Sequence, residues 1–95
     1  MKPRITISHT ESGELEIWLN EAGRDLLVKE LNDLSPDSAN DHFHLGAFEG
    51  AEVETRSVPC RPTDRIVWTG KVIFRTDEQD AEHFPRVLQQ AVTGK

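Results

Sequence analysis

The sequence predicts an α+β fold: a small antiparallel sheet, one main helix packed on one face of it, and a short C-terminal helix. Three observations support this prediction. Two short alternating segments open the chain, an apolar stripe at helical spacing follows them, and further alternating segments come after that stripe. Strands that flank one main helix in this order favour an antiparallel sheet with the helix on one face.

The first two strands form a predicted hairpin. Residues 4–8 and 14–19 alternate between apolar and polar side chains, and the polar residues 9–13 between them include Gly13, which favours a turn. The side chains expected on the apolar face of the two strands are Ile5, Ile7, Leu15, Ile17 and Leu19.

The main helix is predicted to begin after Asn20, whose short side chain can accept hydrogen bonds from first-turn N–H groups. Asp25 and Lys29 lie one turn apart and are expected to pair. Pro36 disfavours helical geometry at Ser35 and is expected to end the helix. The apolar stripe at helical spacing consists of Leu26, Leu27, Leu31 and Leu34.

Alternation resumes after the helix. In residues 42–45, Phe43 and Leu45 face one way and two histidines face the other; residues 52–58 suggest another strand. Residues 65–75 form the strongest later strand, with Gly70 expected to mark a bulge or bend.

The C-terminal part carries helix signals. Thr76 and Gln79 match a capping box, and Pro85 suits the first turn of a new helix, so residues 86–92 are predicted to form a short helix. The 95 residues predict a single domain, 1–95, with its core at about 4–75 and a C-terminal extension at 76–95.

The amino-acid composition narrows the classes of molecule that this protein is expected to bind. Seventeen acidic against eleven basic residues give a formal charge of −6, which disfavours nucleic acids and anionic membranes and favours a basic protein. Cys60 is the only cysteine, so no internal disulfide is expected. The chain has no apolar run of membrane-spanning length, and its first six residues do not resemble a signal peptide, so the cytoplasm is the expected location.

The sheet face opposite the helix is the candidate binding surface. A tryptophan on a polar strand face is typical of a protein-binding hot spot. Residues 35–57 add five acids against one base, while residues 58–75 carry four bases against one acid. The predicted partner-binding residues are Glu14, Glu16, Trp18, Asp41, His42, His44, Glu52 and Glu54. The alternative is that the C-terminal helix covers Trp18 and makes it part of the core.

His42 and His44 also suggest a metal site, because two imidazoles on one strand face can chelate zinc. Zinc normally takes three or four ligands, and Asp41, His9, Glu16 and Cys60 have no diagnostic spacing. Surface histidines with ordinary hydrogen bonds are the simpler interpretation. Cys60, between two prolines and without a family signature, is not expected to be a nucleophile.

Residues 15–17 (Leu-Glu-Ile), residues 20–27 with their paired leucines, and residues 40–45 (Asn-Asp-His-Phe-His-Leu) resemble a small immunity-protein family of bacterial polymorphic toxin systems, immunity protein family 32. The resemblance covers about residues 5–45 and the late strand at 67–74. It implies a cytoplasmic protein that binds and neutralises a toxin domain, without catalysis or cofactor. The acidic charge would suit a basic toxin such as a nuclease.

The sequence therefore predicts a non-catalytic protein-binding domain with no cofactor. Two alternatives remain: a small metal-binding domain or metal-dependent enzyme using His42 and His44, and a self-associating domain using the late strand as an edge. The oligomeric state is not determined by the sequence.

Overall fold

The computed structural model describes residues 1–89 and confirms the α+β class. Its elements are β1 (Ile5–His9), β2 (Leu15–Leu19), α1 (Glu21–Asn32), β3 (His42–Gly46), β4 (Val53–Glu54), β5 (Arg65–Ile66), β6 (Thr69–Ile73), α2 (Asp77–His83) and a 3₁₀ turn, Pro85–Leu88. None of the helices in residues 1–89 combines the length and the apolar character needed to cross a bilayer. The predicted C-terminal helix starts as this 3₁₀ turn, and its residues 90–92 lie outside the described part of the chain.

The strands form two three-stranded sheets in place of one continuous sheet. The first sheet has the order β2-β1-β5 and is antiparallel; the second has the order β4-β3-β6, with β3 and β4 parallel. Hydrogen bonds outside these ladders join the sheets, from Arg56 N to the Ile5 oxygen (2.8 Å) and from Val67 N to the Ile7 oxygen (2.9 Å). The two sheets therefore share one core.

The late segment is where sequence and structure differ most. The predicted strand at 65–75 is broken at Val67 and Trp68 into β5, which pairs with β1, and β6, which pairs with β3. Gly70 does not mark the bend; it lies inside β6, where an added Cβ would come within 2.9 Å of Leu45 Cδ1. Of the predicted strand at 52–58, only Val53–Glu54 pairs in a ladder.

The core is small and lies between the sheets and α1. The buried apolar side chains are Ile5, Ile7, Phe43 and Val53. Leu26, Leu27 and Leu34 pack against them from the helix and its end, together with Leu45, Val67 and Val72. Leu31 is 46% exposed, so three of the four predicted stripe leucines reach the core.

The predicted helix N-terminus is confirmed. Asn20 Oδ1 accepts a hydrogen bond from Gly23 N at 2.7 Å and another from Arg4 N at 2.9 Å, so one side chain fixes both the helix and the start of β1. Gly23 lies where the helix approaches that strand, because a Cβ there would sit 2.7 Å from the Arg4 oxygen. Glycine is what allows this close contact.

The helix ends earlier than predicted, at Asn32, with Asp33 as C-cap. The predicted pair of Asp25 and Lys29 is absent from the described contacts, since Lys29 Nζ lies 2.9 Å from Asp33 Oδ2. Asp25 instead accepts a hydrogen bond from Arg24 at 3.1 Å. The capping box of α2 is confirmed, with Gln79 N donating to Thr76 Oγ1 and Thr76 N donating to Gln79 Oε1.

Candidate protein-binding surface

The residues predicted to share one open face lie on two sheets. Glu14, Glu16 and Trp18 belong to the hairpin of the first sheet, whereas Asp41, His42, His44, Glu52 and Glu54 lie on or beside β3 and β4 of the second. Within residues 1–89, no hydrogen bond or ion pair connects the two groups. The prediction of a single continuous surface is therefore corrected to two separate ones, because the late strand divides the sheet.

The tryptophan cluster consists of Glu16, Trp18, Arg61 and Asp64. The Arg61 guanidinium carbon lies 4.9 Å from the centre of a Trp18 ring, close enough for a cation–π interaction. The same guanidinium donates to Glu16 Oε1 and to Asp64 Oδ2, each at 2.8 Å. The loop at residues 57–64 is thereby held against the outer face of β1 and β2.

Electrostatics in the tryptophan cluster follow from Arg61. The hydrogen bond from Arg61 lowers the pKa of the Glu16 carboxyl below its ordinary value, and the Coulomb attraction of the guanidinium acts in the same direction. The Glu16 hydrogen bond is also the largest cause that raises the pKa of Arg61. The Asp64 side chain is only 1% exposed, so its charge is compensated by Arg61.

Trp18 is partly covered by Arg61 and not by α2. Asp80 of α2 accepts a hydrogen bond from Arg75 Nε at 2.7 Å, and Gln79 Nε2 donates to the Pro36 oxygen at 3.1 Å, which places α2 beside the second sheet. Trp18 remains 38% exposed beneath Arg61. Neither α2 nor any other hydrogen-bonded contact of residues 77–89 reaches Trp18, and residues 90–92 of the predicted C-terminal helix lie outside the described part of the chain. Glu14 is exposed and directly precedes β2.

The histidine face is one side of the second sheet. Residues that lie directly opposite one another in a ladder share a face, and here His42 pairs with Ile73 and His44 with Lys71. Phe43 and Leu45 point to the core side, as predicted. The histidine face comprises His42, His44, Phe48, Glu52, Glu54, Lys71 and Ile73.

Phe48 and Ile73 were missed by sequence reasoning. Gly46 leaves room for the Phe48 ring, because a Cβ at position 46 would lie 2.5 Å from Phe48 Cε1 on the histidine side. Ile73 lies opposite His42 and is 57% exposed. Alternation along β6 would place Ile73 on the same side of the sheet as His42, but only once the register of β6 with β3 is known. Nothing in the local sequence indicates that Phe48 packs over a glycine.

Each histidine has its own carboxylate. His42 Nδ1 lies 2.8 Å from Asp41 Oδ1, and His44 Nδ1 lies 3.4 Å from Glu52 Oε1. The backbone N–H of His44 donates to the same Glu52 oxygen at 2.7 Å, and this bond is the main reason why the pKa of Glu52 is lowered. The two imidazoles are T-shaped, with centroids 5.2 Å apart.

This arrangement can orient two imidazoles, but it brings no third metal ligand to them in the described chain. No group of three or more His, Cys, Asp and Glu side chains in residues 1–89 is placed to hold a metal ion. Glu16 is bonded to Arg61, and Cys60 lines a shallow depression with Thr6 and Trp18 on the first sheet. His9 lies on β1 of that sheet.

Apolar exposure is high in the described chain. Fifteen large apolar side chains are exposed and four are buried, so much of the apolar surface has no intramolecular cover. Where exposed apolar side chains adjoin one another in a contiguous patch, that patch marks an interaction site.

Comparison with protein-family models, with curated proteins and with solved structures gives no match for this chain.

Proposed function

We propose that this protein is a non-catalytic protein-binding domain that binds its partner through the histidine face, in the manner of an immunity protein that neutralises a toxin. The supporting observation is that this face combines exposed apolar and charged side chains with two partly exposed histidines. Ile73 is 57% exposed, Phe48 is 38% exposed, and the Glu52 side chain is 48% exposed. Apolar contacts beside hydrogen-bonding groups are typical of protein interfaces.

Charge favours a basic partner. The net charge of −6 would accelerate the approach of a cationic protein, and Glu52 and Glu54 bring carboxylates to the histidine face itself. A toxin domain that acts on nucleic acid needs a basic surface, which makes a nuclease a suitable target. In this proposal His42, His44 and Asp41 contribute hydrogen bonds, while Ile73 and Phe48 contribute apolar area.

The tryptophan cluster is a second contact region in this proposal. Tryptophan and arginine are enriched among residues that dominate binding energies, and here Trp18 and Arg61 are already stacked. A pre-positioned pair loses less side-chain entropy on binding. Glu14 and Glu16 add negative charge beside it.

The test is capture of the partner from native lysate with tagged protein, followed by mass spectrometry and metal analysis of the same eluate. We expect a stoichiometric basic protein. The double variant H42A/H44A and the variant Ile73→Asp should each reduce capture at least tenfold. Val87→Asp is the matched control, because Val87 is similarly accessible (64% exposed) but lies in the 3₁₀ turn. Bound zinc without a protein partner would overturn the proposal in favour of a metal site.

The neutralising role has its own test. Production of the captured partner alone in a bacterial host should arrest growth, and co-production of this protein should restore it. Ile73→Asp should abolish the rescue while Val87→Asp preserves it. If the captured partner causes no growth defect, the immunity role is rejected, and the protein is a binding domain of another kind.

A further inference from the structure

We infer that two copies of this chain associate through β2, by antiparallel pairing of the two β2 strands about a two-fold axis at Ile17. β2 is an edge strand, since it lies at the end of the order β2-β1-β5. Unpaired strand edges are templates for another chain unless they are protected. This inference does not depend on the proposed function, because the histidine face lies on the other sheet and the partner here is a second copy of this chain, although the tryptophan cluster shares the strand β2.

The backbone of β2 presents a regular edge. Asn20 N donates a hydrogen bond to the Arg4 oxygen, and backbone groups alternate in direction along a strand. Glu16 and Trp18, which lie four and two residues before Asn20, therefore also direct their N–H and C=O groups toward β1. Leu15, Ile17 and Leu19 therefore turn theirs outward. Three outward N–H and three outward C=O groups per copy suffice for six hydrogen bonds across a two-fold axis.

The side chains of these residues form an apolar stripe. Leu15 is 55% exposed, Ile17 48% and Leu19 42%, all on the sheet face that carries α1. Pairing about Ile17 places Ile17 opposite its own copy and Leu15 opposite Leu19 of the other copy. All three apolar positions then meet an apolar partner, as favoured for cross-strand pairs.

Helix α1 extends this stripe. Arg24 lines a depression together with Leu19, so this side of the helix faces β2. Val28 and Leu31 follow Arg24 at one and two turns, and they are 49% and 46% exposed. Five half-exposed aliphatic side chains leave an apolar patch on the order of 400 Å², within the range that marks functional patches.

Charge selects this register. On the opposite face, pairing about Ile17 places each Glu16 against Trp18 of the other copy, beside that copy's Arg61. If the two-fold axis lay at Glu16 and not at Ile17, Glu16 of one copy would lie opposite Glu16 of the other. Like charges in direct opposition are destabilising. If the two-fold axis lay at Trp18, Leu15 of one copy would lie opposite Glu21 of the other, and one apolar pair would be lost.

The other long edge is less suited to self-pairing. β6 ends the second sheet, and its outward backbone groups belong to Thr69, Lys71 and Ile73, because Phe74 N donates to the Asp41 oxygen. Symmetric pairing of β6 about its centre would set Lys71 against Lys71. A lysine on an edge strand is a common protection against such pairing. The late strand proposed for self-association from sequence is therefore the weaker edge.

The experiment is light scattering coupled to size exclusion across a hundredfold range of concentration. Wild type should shift from monomer to dimer, and Ile17→Lys should raise the dissociation constant at least tenfold. The matched control is Ile73→Lys, which makes the same change at a similarly exposed position on the other edge and should leave the dimer intact. A wild-type monomer at every concentration, or a dimer lost only in Ile73→Lys, would overturn the inference.

Register is tested by cross-linking in a Cys60→Ser background. Hydrogen-bonded antiparallel partners have Cα atoms about 5.5 Å apart, within the range that a disulfide spans. Ile17→Cys should therefore form a covalent dimer under mild oxidant, while Leu15→Cys alone should not. Leu15→Cys mixed with Leu19→Cys should cross-link. Efficient self-cross-linking of Leu15→Cys would reject the Ile17-centred register.

Discussion

Arg61 contacts three side chains at once, and the outer face of the first sheet depends on it. Its guanidinium stacks on Trp18, bonds to Glu16 and compensates the buried charge of Asp64. Positions 16 and 61 lie far apart in the sequence, so neither residue shows a local pattern that predicts the pair. The local patterns did identify Trp18 and Glu16, but as an open surface.

The Arg61–Glu16 hydrogen bond predicts a specific titration. Glu16 has a lowered pKa in the folded state, so its contribution to stability is present above the unfolded pKa and is lost as pH falls through the folded pKa. Arg61→Gln should raise the pKa of Glu16 toward its ordinary value, as measured by NMR titration of side-chain carboxyl signals. Glu52 is the internal control, because the backbone of His44 lowers its pKa. A Glu16 midpoint unchanged by Arg61→Gln would contradict this account.

Gly23 predicts an unusual response to alanine. Alanine normally stabilises a helix relative to glycine by about 1 kcal/mol. Here its Cβ would meet the Arg4 oxygen at 2.7 Å and Ile5 Cγ1 at 2.8 Å. Gly23→Ala should therefore lower the free energy of unfolding by about 1–2 kcal/mol in urea denaturation, as overpacking does. Arg24→Ala removes a side chain that is 62% exposed and should change the free energy of unfolding by less than about 0.5 kcal/mol. A Gly23→Ala variant as stable as the wild type would contradict the close contact.

At the scale of elements, Asn20 joins α1 to β1. Its side chain accepts from Gly23 N and Arg4 N and donates from Nδ2 to the Lys2 oxygen at 3.0 Å. The sequence predicted the cap from a local preference, and it could not predict the bonds to Lys2 and Arg4, which depend on the path of the first strand. The late strand is broken for the same reason. Alternation of side chains predicted extended structure at residues 65–75, whereas the division of this segment between two sheets depends on strands that are distant in sequence.

Loss of the Asn20 side chain should therefore have more than a local effect. Asn20→Ala is expected to cost about 2 kcal/mol of global stability, at the upper end of the range for N-caps. Asn20→Asp keeps the acceptor and loses only the donor, so its cost should be smaller. Thr76→Ala, which removes the cap of the exposed helix α2, should cost about 0.5–1 kcal/mol. Equal costs for Asn20→Ala and Thr76→Ala in chemical denaturation would show that Asn20 acts only as a cap.

At the scale of the whole molecule, the chain places little of its apolar surface inside. Four apolar side chains are buried, and the exposed ones are distributed over α1, β2, β6, the loops and the C-terminal segment of the described chain. Sequence pattern predicted the α+β class, the hairpin and the inward Phe43. It did not predict the small core, because alternation shows which side of a strand is apolar without showing whether anything covers that side.

The exposed apolar surface and the acidic charge together lead to the central claim, that the histidine face binds a protein partner. The most direct measurement is NMR of the isotopically labelled protein, titrated with the protein that it captures from lysate. Signals of His42, His44, Phe48 and Ile73 should shift or broaden first, while those of the exposed face of α1 should not change. Perturbation confined to α1 and β2, with the histidine face unchanged, would contradict it.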